Sequence, residues 1–323
     1  MAFAGRLTEL QKKEIIGMYW LERAKVAEAI TLVNRLAMST TSTKESELYG
    51  FLGMNPEMRE WVTDRVSRTL NEESFRVVNR QFEITIGVSI LDVIRGNTPQ
   101  LAARLGQIAD VDNRNWEKLL FEVLLTNPLG YDGVSFFNAA HPQRDTSLAA
   151  QANLLTNTQV GKLDIATAAS PAPLDVSDAV MGVIQYMLGI KDDWGNPLGS
   201  GCRQFLVLVP INFWSVFAQA FGLGIIQGAS GAVNNPLQAT SADGFQISFT
   251  ARTELTSDPT PNSFYTFATD APIKPFIAQS EYVNPVEINE DRVWRFKEFD
   301  IGFDVSRAVA PGMWQFATKA TFS

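Results

Sequence analysis

Between Phe82 and Ile90 every even-numbered residue is apolar (Phe82, Ile84, Ile86, Val88, Ile90), and Glu83, Thr85, Gly87 and Ser89 fill the odd positions. Strand side chains alternate between faces, so this period of two predicts a strand with one buried face, roughly 30 Å long at about 3.4 Å per residue. The stretch before it, Arg59 to Leu70, is charged, and Asn71-Glu72-Glu73-Ser74 carries turn-forming residues, so the two runs read as a long hairpin. A different period follows. After Gly96-Asn97-Thr98-Pro99, a Thr N-cap with Pro at the first helical position, apolar residues recur at Leu101, Leu105, Ile108, Trp116, Leu119 and Val123. Asp112 alone falls polar on that stripe. Continued to Thr126, such a helix has about 28 residues and a length of roughly 42 Å. That approaches the full width of a compact chain of this size, so a flattened or elongated subunit is expected.

Residues 7–37 contain no Pro and a single Gly, and they mix apolar with charged positions (Leu7, Leu10, Glu14, Tyr19, Glu22, Arg23, Val26, Ile30, Val33), which predicts helix. Ser39-Thr40-Thr41-Ser42-Thr43 ends it: this hydroxyl-rich run resists helix and has little to bury, so it reads as an extended connector between an N-terminal arm and the body. Residues 130–172 are turn-dense and predict loops with short strands, closing at Pro171-Ala172-Pro173. Leu174 to Leu188 has helical spacing behind an Asp175 or Ser177 cap. Phe205 to Pro210 fits a buried strand, and Asn212 to Phe221 is helical again. Beyond Gly244, Phe245 to Thr250 and Phe264 to Ala268 alternate like strands, and Arg292 to Phe322 holds two or three more. No internal repeat is present, which removes solenoids and propellers.

With 323 residues the prior is about two domains or subdomains. A composition 46% apolar and 19% charged can bury a core, which removes disorder and collagen-like structure. One cysteine, Cys202, precludes an intramolecular disulfide, and a reducing compartment is expected. The net charge of −8 has the wrong sign for a protein that neutralises phosphates, so tight nucleic-acid binding is not expected. Charges interrupt the N-terminal segment, and no window reaches the 18 apolar residues of a membrane span, so the chain is expected to be made and kept in the cytoplasm, away from membranes.

Catalytic patterns are sought and not found. His141 is the only histidine, which excludes two-histidine metal motifs by counting; standing before Pro142 in a turn, it reads as structural, with a soluble hydrolase centred on it kept as a remote alternative. Gly222-Leu223-Gly224-Ile225-Ile226-Gln227-Gly228 imitates a dinucleotide loop, but it is one residue too long and follows a helix instead of opening one, so it reads as a flexible surface loop. Asp110-Val111-Asp112 begins like a calcium loop, yet Arg114, Asn115 and Phe121 occupy positions that need a ligand, Gly and Glu. Asp192 and Asp193 precede Trp194-Gly195-Asn196-Pro197 and read as a solvated turn. No catalytic, cofactor or metal residue is assigned. An arm, a long charged hairpin and a long helix bury little in a monomer, and they make sense when a neighbour supplies the other half of the packing.

The residues Met58-Arg59-Glu60-Trp61-Val62-Thr63-Asp64-Arg65, then Val78-Asn79-Arg80-Gln81-Phe82-Glu83-Ile84-Thr85-Ile86, then Tyr131-Asp132-Gly133-Val134-Ser135-Phe136-Phe137 leading to His141-Pro142, resemble the Mu-like phage major head subunit family, and Trp194-Gly195-Asn196-Pro197-Leu198 with Leu206-Val207-Leu208-Val209-Pro210 continues the likeness. It covers roughly residues 50–320. The resemblance implies an α+β, HK97-like capsid fold: an N-terminal arm at 1–50, an E-loop hairpin at 51–96, a peripheral domain at 97–173 with a spine helix at 98–127, an axial domain at 174–285, and C-terminal strands at 286–323 returning to the peripheral domain. The tail, Phe299-Asp300-Ile301-Gly302 through Ala310-Pro311-Gly312-Met313-Trp314, matches only loosely the glycine-tyrosine ending of that family.

What the resemblance implies for function is a major head protein of the virion, assembled in the host cytoplasm into an icosahedral shell around a double-stranded DNA phage genome. Its partners would be copies of itself in pentamers and hexamers, with portal, scaffold and decoration proteins, and the packaged DNA would be enclosed without sequence-specific binding. An encapsulin-like compartment is the alternative within the fold. Arg59, Trp61, Arg65, Arg68, Arg76 and Arg80 are the expected inter-subunit contacts of the hairpin, since guanidinium forks suit acidic surface on a neighbour. Some HK97-like shells are welded by an isopeptide bond from an E-loop lysine to an asparagine. Between Lys44 and Lys118 this chain has eight arginines and no lysine, so a shell held without that bond is expected.

Overall fold

The computed structural model describes the chain apart from residues 1–6, 28–30, 53–71, 92–97, 144–148, 193–194, 229–230, 240–243, 284–285 and 292–295. The helices are α1 (Glu9–Ala27), α2 (Thr31–Leu36), α3 (Thr98–Thr126), α4 (Pro173–Leu188), α5 (Trp214–Gly222) and the single turn α6 (Pro236–Ala239). The strands are β1 (Ala37–Thr41), β2 (Ser46–Leu52), β3 (Glu72–Val78), β4 (Arg80–Ser89), β5 (Leu154–Leu155), β6 (Gln204–Pro210), β7 (Ile225–Gly228), β8 (Gly231–Asn234), β9 (Gln246–Arg252), β10 (Ser263–Ala268), β11 (Phe276–Val283), β12 (Glu287–Asn289), β13 (Glu298–Pro311) and β14 (Ala317–Thr321).

Two five-stranded sheets carry the fold. The first runs β1-β11-β13-β12, with β4 also paired to β13; the second runs β5-β14-β10-β6-β9. In the first, β13 is the hub. Its residues Phe299, Ile301, Phe303 and Val305 stand opposite Val88, Ile86, Ile84 and Phe82 of β4, so two alternating patterns meet in register and send every apolar side chain to one face. Onto that face pack α1 and the first half of α3, through Ile15, Tyr19, Leu101, Leu105 and Ile108. Each fully buried side chain of this size contributes about 1.5–3 kcal/mol. The opposite face is polar, and at Gly302 the strands approach so closely that a Cβ would sit 2.9 Å from Thr85 Oγ1.

This pairing corrects the expected hairpin. The strand at 80–89 is present, and among the described residues its partner is β13, whose alternation matches its own; the charged run at 59–70 lies outside the described residues. Glu72 to Ser74 is not a turn: it begins β3, which pairs antiparallel with β2 from Leu52↔Glu72 to Ser46↔Val78. The long ribbon is therefore β2–β3, and residues 53–71 between its strands lie outside the described residues.

The connector at 39–43 is extended as expected, yet it is hydrogen-bonded: β1 lies parallel to β11, from Ala37↔Phe276 to Thr41↔Ser280. Helix α3 has 29 residues, about 44 Å long at about 1.5 Å per residue. It ends at Asn127, whose φ of 47° is the left-handed conformation that stops a helix, followed by Pro128. The Asn127 side chain then brackets the backbone of Phe137, accepting its N–H at 2.7 Å and donating to its carbonyl at 3.0 Å.

The second sheet and helices α4 and α5 enclose the larger core, in which Phe205, Leu206, Val207, Leu208 and Val209 of β6 are all buried. Helix α4 starts one residue earlier than expected. Its N-cap is Ala172 with Pro173 at the first position, while Asp175 reaches back to accept the Ala172 N–H at 3.0 Å, and Ser177 is buried against Asn235 at 2.7 Å. The glycine-rich stretch at 222–228 is not a flexible loop: Ile225–Gly228 forms β7, hairpin partner of β8. The aborted calcium motif lies inside α3. The tail divides between the sheets. Strand β13 pairs with β12 and β4 in the first sheet, whereas β14 pairs with β10 and β5 in the second.

Candidate functional site

Among the described residues no group of His, Cys, Asp and Glu is arranged to hold a metal ion, and no helix is long and apolar enough to cross a membrane. The chemistry of this chain lies in how its elements are tied together and in what they leave exposed.

The first tie is Asp112. The residue that broke the apolar stripe of α3 faces the core, with its side chain 1% exposed, because two arginines meet it there. Arg23 of α1 donates from Nε to Asp112 Oδ2 at 2.8 Å. Arg307 of β13 donates from Nη2 to Asp112 Oδ1 and from Nη1 to the Asp112 carbonyl at 3.1 Å, and its guanidinium lies over the Trp116 ring, 4.6 Å from the centroid. One carboxylate thus joins arm helix, long helix and central strand. Burial pushes the Arg307 guanidinium below the usual arginine range and Asp112 opposes that shift. Tyr19, alongside, is pushed up to about 12 by burial, with the Asp112 charge adding to the effect.

The second tie answers the question of His141. The ring is wholly buried and stacked on Trp314, with centroids 3.8 Å apart and planes 9° from parallel. Asn153 sets the ring's role. Its Nδ2 faces the carbonyls of Phe136, Trp314 and Ala317 at 2.7, 3.4 and 3.2 Å, so its Oδ1 is the atom that accepts from Asn138 N–H at 2.8 Å and from His141 Nε2 at 2.9 Å. The other nitrogen, Nδ1, lies 2.5 Å from Asp132 Oδ2. With both nitrogens hydrogen-bonded and the ring buried, the imidazole pins the 129–141 loop to the C-terminal strands.

The β2–β3 ribbon is anchored at its base. Tyr49 Oη donates to Gln279 Oε1 at 2.6 Å, Gln279 Nε2 donates to Asn79 Oδ1 at 2.9 Å, and Asn79 Nδ2 donates to the Lys44 carbonyl at 3.0 Å. Tyr49, Phe75 and Val77 pack against Ala308 and Ala310 of β13. The other face presents Leu48 and Val78 to solvent, 66% and 48% exposed.

Of the six arginine and tryptophan positions expected at an inter-subunit contact, Arg59, Trp61, Arg65 and Arg68 lie outside the described residues. Arg76 is exposed on the ribbon, its Nε 3.1 Å from Ser46 Oγ. Arg80 is engaged within its own chain, donating from both Nη atoms to Glu122 of α3 at 2.9 and 2.8 Å. The expectation therefore gathers Arg76 and Arg80 near the ribbon's base without bringing them to one site. Sequence reasoning missed a set of exposed apolar groups on the second subdomain: Ile211 and Trp214 at the start of α5, and Leu223, Ile225 and Val233 around the β7–β8 hairpin. Trp214 falls within the helix expected at 212–221, and no period marks its exposure.

Comparison with known proteins adds identity to this geometry. Residues 22–171 match the family described as Mu-like prophage major head subunit gpT. Over 121 residues, 36% of this chain and 38% of the relative, the sequence is 32% identical to the major capsid protein of Escherichia phage Mu. The alignments span less than two fifths of the curated relatives' lengths, 38% and 39%. Among solved structures, the procapsid of bacteriophage JBD30 superposes with a TM-score of 0.54 at 17% identity, covering 98% of this chain and 77% of that one. A virus-like particle from Pyrococcus furiosus gives 0.52 at 8% identity over 95% and 98%. The long helix, the flanking ribbon and the two sheets are thus the HK97-like, α+β capsid fold, and residues 22–171 of this chain match the Mu-like prophage major head subunit family.

Proposed function

We propose that the chain is a major capsid protein that self-assembles, through pentamers and hexamers, into an icosahedral shell around a double-stranded DNA phage genome, and so resides in the virion after assembly in the host cytoplasm. The Mu-like match over residues 22–171 carries this reading, because it singles out phage head subunits from other particles that share the fold, an encapsulin-like compartment included. In this reading α1 and its flanks are the arm, the β2–β3 ribbon with residues 53–71 is the E-loop, α3 is the spine, and α4, α5 and the second sheet form the axial domain.

The physical support is an unfinished surface. A two-stranded ribbon is marginal by itself in water. Here one face packs on β13 while Leu48 and Val78 stay exposed, as do Ile211, Trp214, Leu223 and Ile225. Copies of the chain would bury these groups against one another, and Arg59, Trp61, Arg65, Arg68 and Arg76 are the ribbon residues proposed to reach a neighbour. Arg80 serves that contact indirectly, bracing the ribbon's base against α3. The net charge of −8 suits a wall that encloses nucleic acid without adhering to it. Portal, scaffold and decoration proteins are the proposed partners beyond the chain itself.

Size-exclusion chromatography with light scattering tests the reading: the wild type is expected to elute as multimers or shells across micromolar concentrations, and the Arg65→Glu/Arg68→Glu double variant as a folded subunit of 35.7 kDa. Multimers of unchanged size from the double variant would remove the hairpin from the contact. Because the 45–117 stretch holds no lysine, purified particles boiled in SDS are expected to run as one band near the monomer mass. A ladder that survives reducing agent would contradict this.

A further inference from the structure

The arm helix α1 is joined to the body by a short seam. Among its described side chains Ile15 and Tyr19 are wholly buried, the latter tilted against Phe303 at 5.3 Å, and it crosses α3 near Gly106, where a Cβ would meet Glu22 Oε2 at 3.7 Å. At its start the Leu7 N–H donates to Glu290 Oε1 at 3.0 Å. Most of a helix's stability in a protein comes from the packing of its apolar face, so the 19-residue α1 depends on this seam.

The ion cluster buried at the seam has an unusual balance. Arg307 and Asp112, each 1% exposed, already form a matched pair with two hydrogen bonds between them. Arg23 adds a second guanidinium to the same carboxylate, which gives the cluster a net charge of +1 in a site that water scarcely enters. Arg23 is 20% exposed and rests on Trp20, 5.0 Å from the ring centroid, so it can recover its hydration, and α1 its solvent contact, without unpairing Asp112. Two buried polar atoms beside the seam have no hydrogen-bond partner among the described residues, Tyr19 Oη and Arg307 Nε, so docking α1 leaves the junction incompletely satisfied.

We propose that α1 is a releasable latch on the long helix, with Arg23 the surplus cation on Asp112, and that it detaches as a unit while α3 and β13 stay paired through Arg307. A body that keeps its own ion pair when the arm leaves can change arm position without unfolding. The arm's resting place is then set by one carboxylate in the middle of α3.

Hydrogen exchange read by mass spectrometry on the purified full chain tests this, and the soluble chain serves whether or not it forms shells. Arg23→Gln is expected to raise exchange across residues 9–27 about tenfold while residues 98–126 and 298–311 change less than twofold, and Arg23→Lys to fall between. Unchanged exchange in 9–27, or an equal rise in all three segments, would overturn the latch, the first because Arg23 holds nothing, the second because arm and body open together. Ile15→Ala supplies an independent check: it weakens the seam without touching the charges, and it too is expected to loosen 9–27 alone.

Discussion

Asp112→Ala is expected to destabilise the subunit by about 3–5 kcal/mol, the usual cost of removing one partner from a buried ion pair. The substitution leaves Arg307 in a wholly buried position with no counter-ion and strips Arg23 of its acceptor. The loss is read from the denaturant midpoint, provided the slope is unchanged. A double variant, Asp112→Leu/Arg307→Met, is expected to recover most of it, since a buried pair and an apolar replacement of similar volume often differ little in stability. A single-variant loss below about 1 kcal/mol would mean that the carboxylate is not the tie described above.

Asn153→Ala is expected to cost about 3 kcal/mol or more, because one side chain satisfies four backbone groups and a buried imidazole, and each buried polar group left unmade costs about 1–3 kcal/mol. His141→Ala is expected to cost less. It deletes the Trp314 stack and frees Asp132 and Asn153, yet Asn153 keeps its backbone partners. The order of the two losses in denaturant titrations is the check: His141→Ala exceeding Asn153→Ala would place the centre of the node on the wrong residue.

Elements with a strong internal period were legible in the sequence. The strand at 80–89 and the helix at 98–126 follow from alternation and from the 3.6-residue stripe, and the buried strand at 204–210 from its continuous apolar run. Pairing was not legible from local pattern alone, because β4 and β13 lie more than 200 residues apart and Asn71-Glu72-Glu73-Ser74 looked like a turn where Glu72 to Ser74 in fact open β3. The hydroxyl-rich 39–43 run concealed β1 for a related reason: its place in the sheet comes from β11, not from its own composition.

Asp112 shows the same limit for the site. Its position on the stripe was a visible anomaly, but only the fold brings Arg23 and Arg307 to it from either end of the chain. His141 was visible as a lone histidine in a turn, but its partners Asn153 and Trp314 carry no local signal. The exposed Trp214 and Ile225 mark the other boundary, since an apolar residue kept for a neighbour looks in sequence like one kept for the core.

Electron cryo-microscopy of the purified protein decides whether this chain builds a closed shell, as proposed. The account predicts icosahedral particles whose reconstructed wall contains the 29-residue helix, with the β2–β3 ribbon of one subunit against its neighbour. A homogeneous 35.7 kDa monomer at every concentration would contradict it.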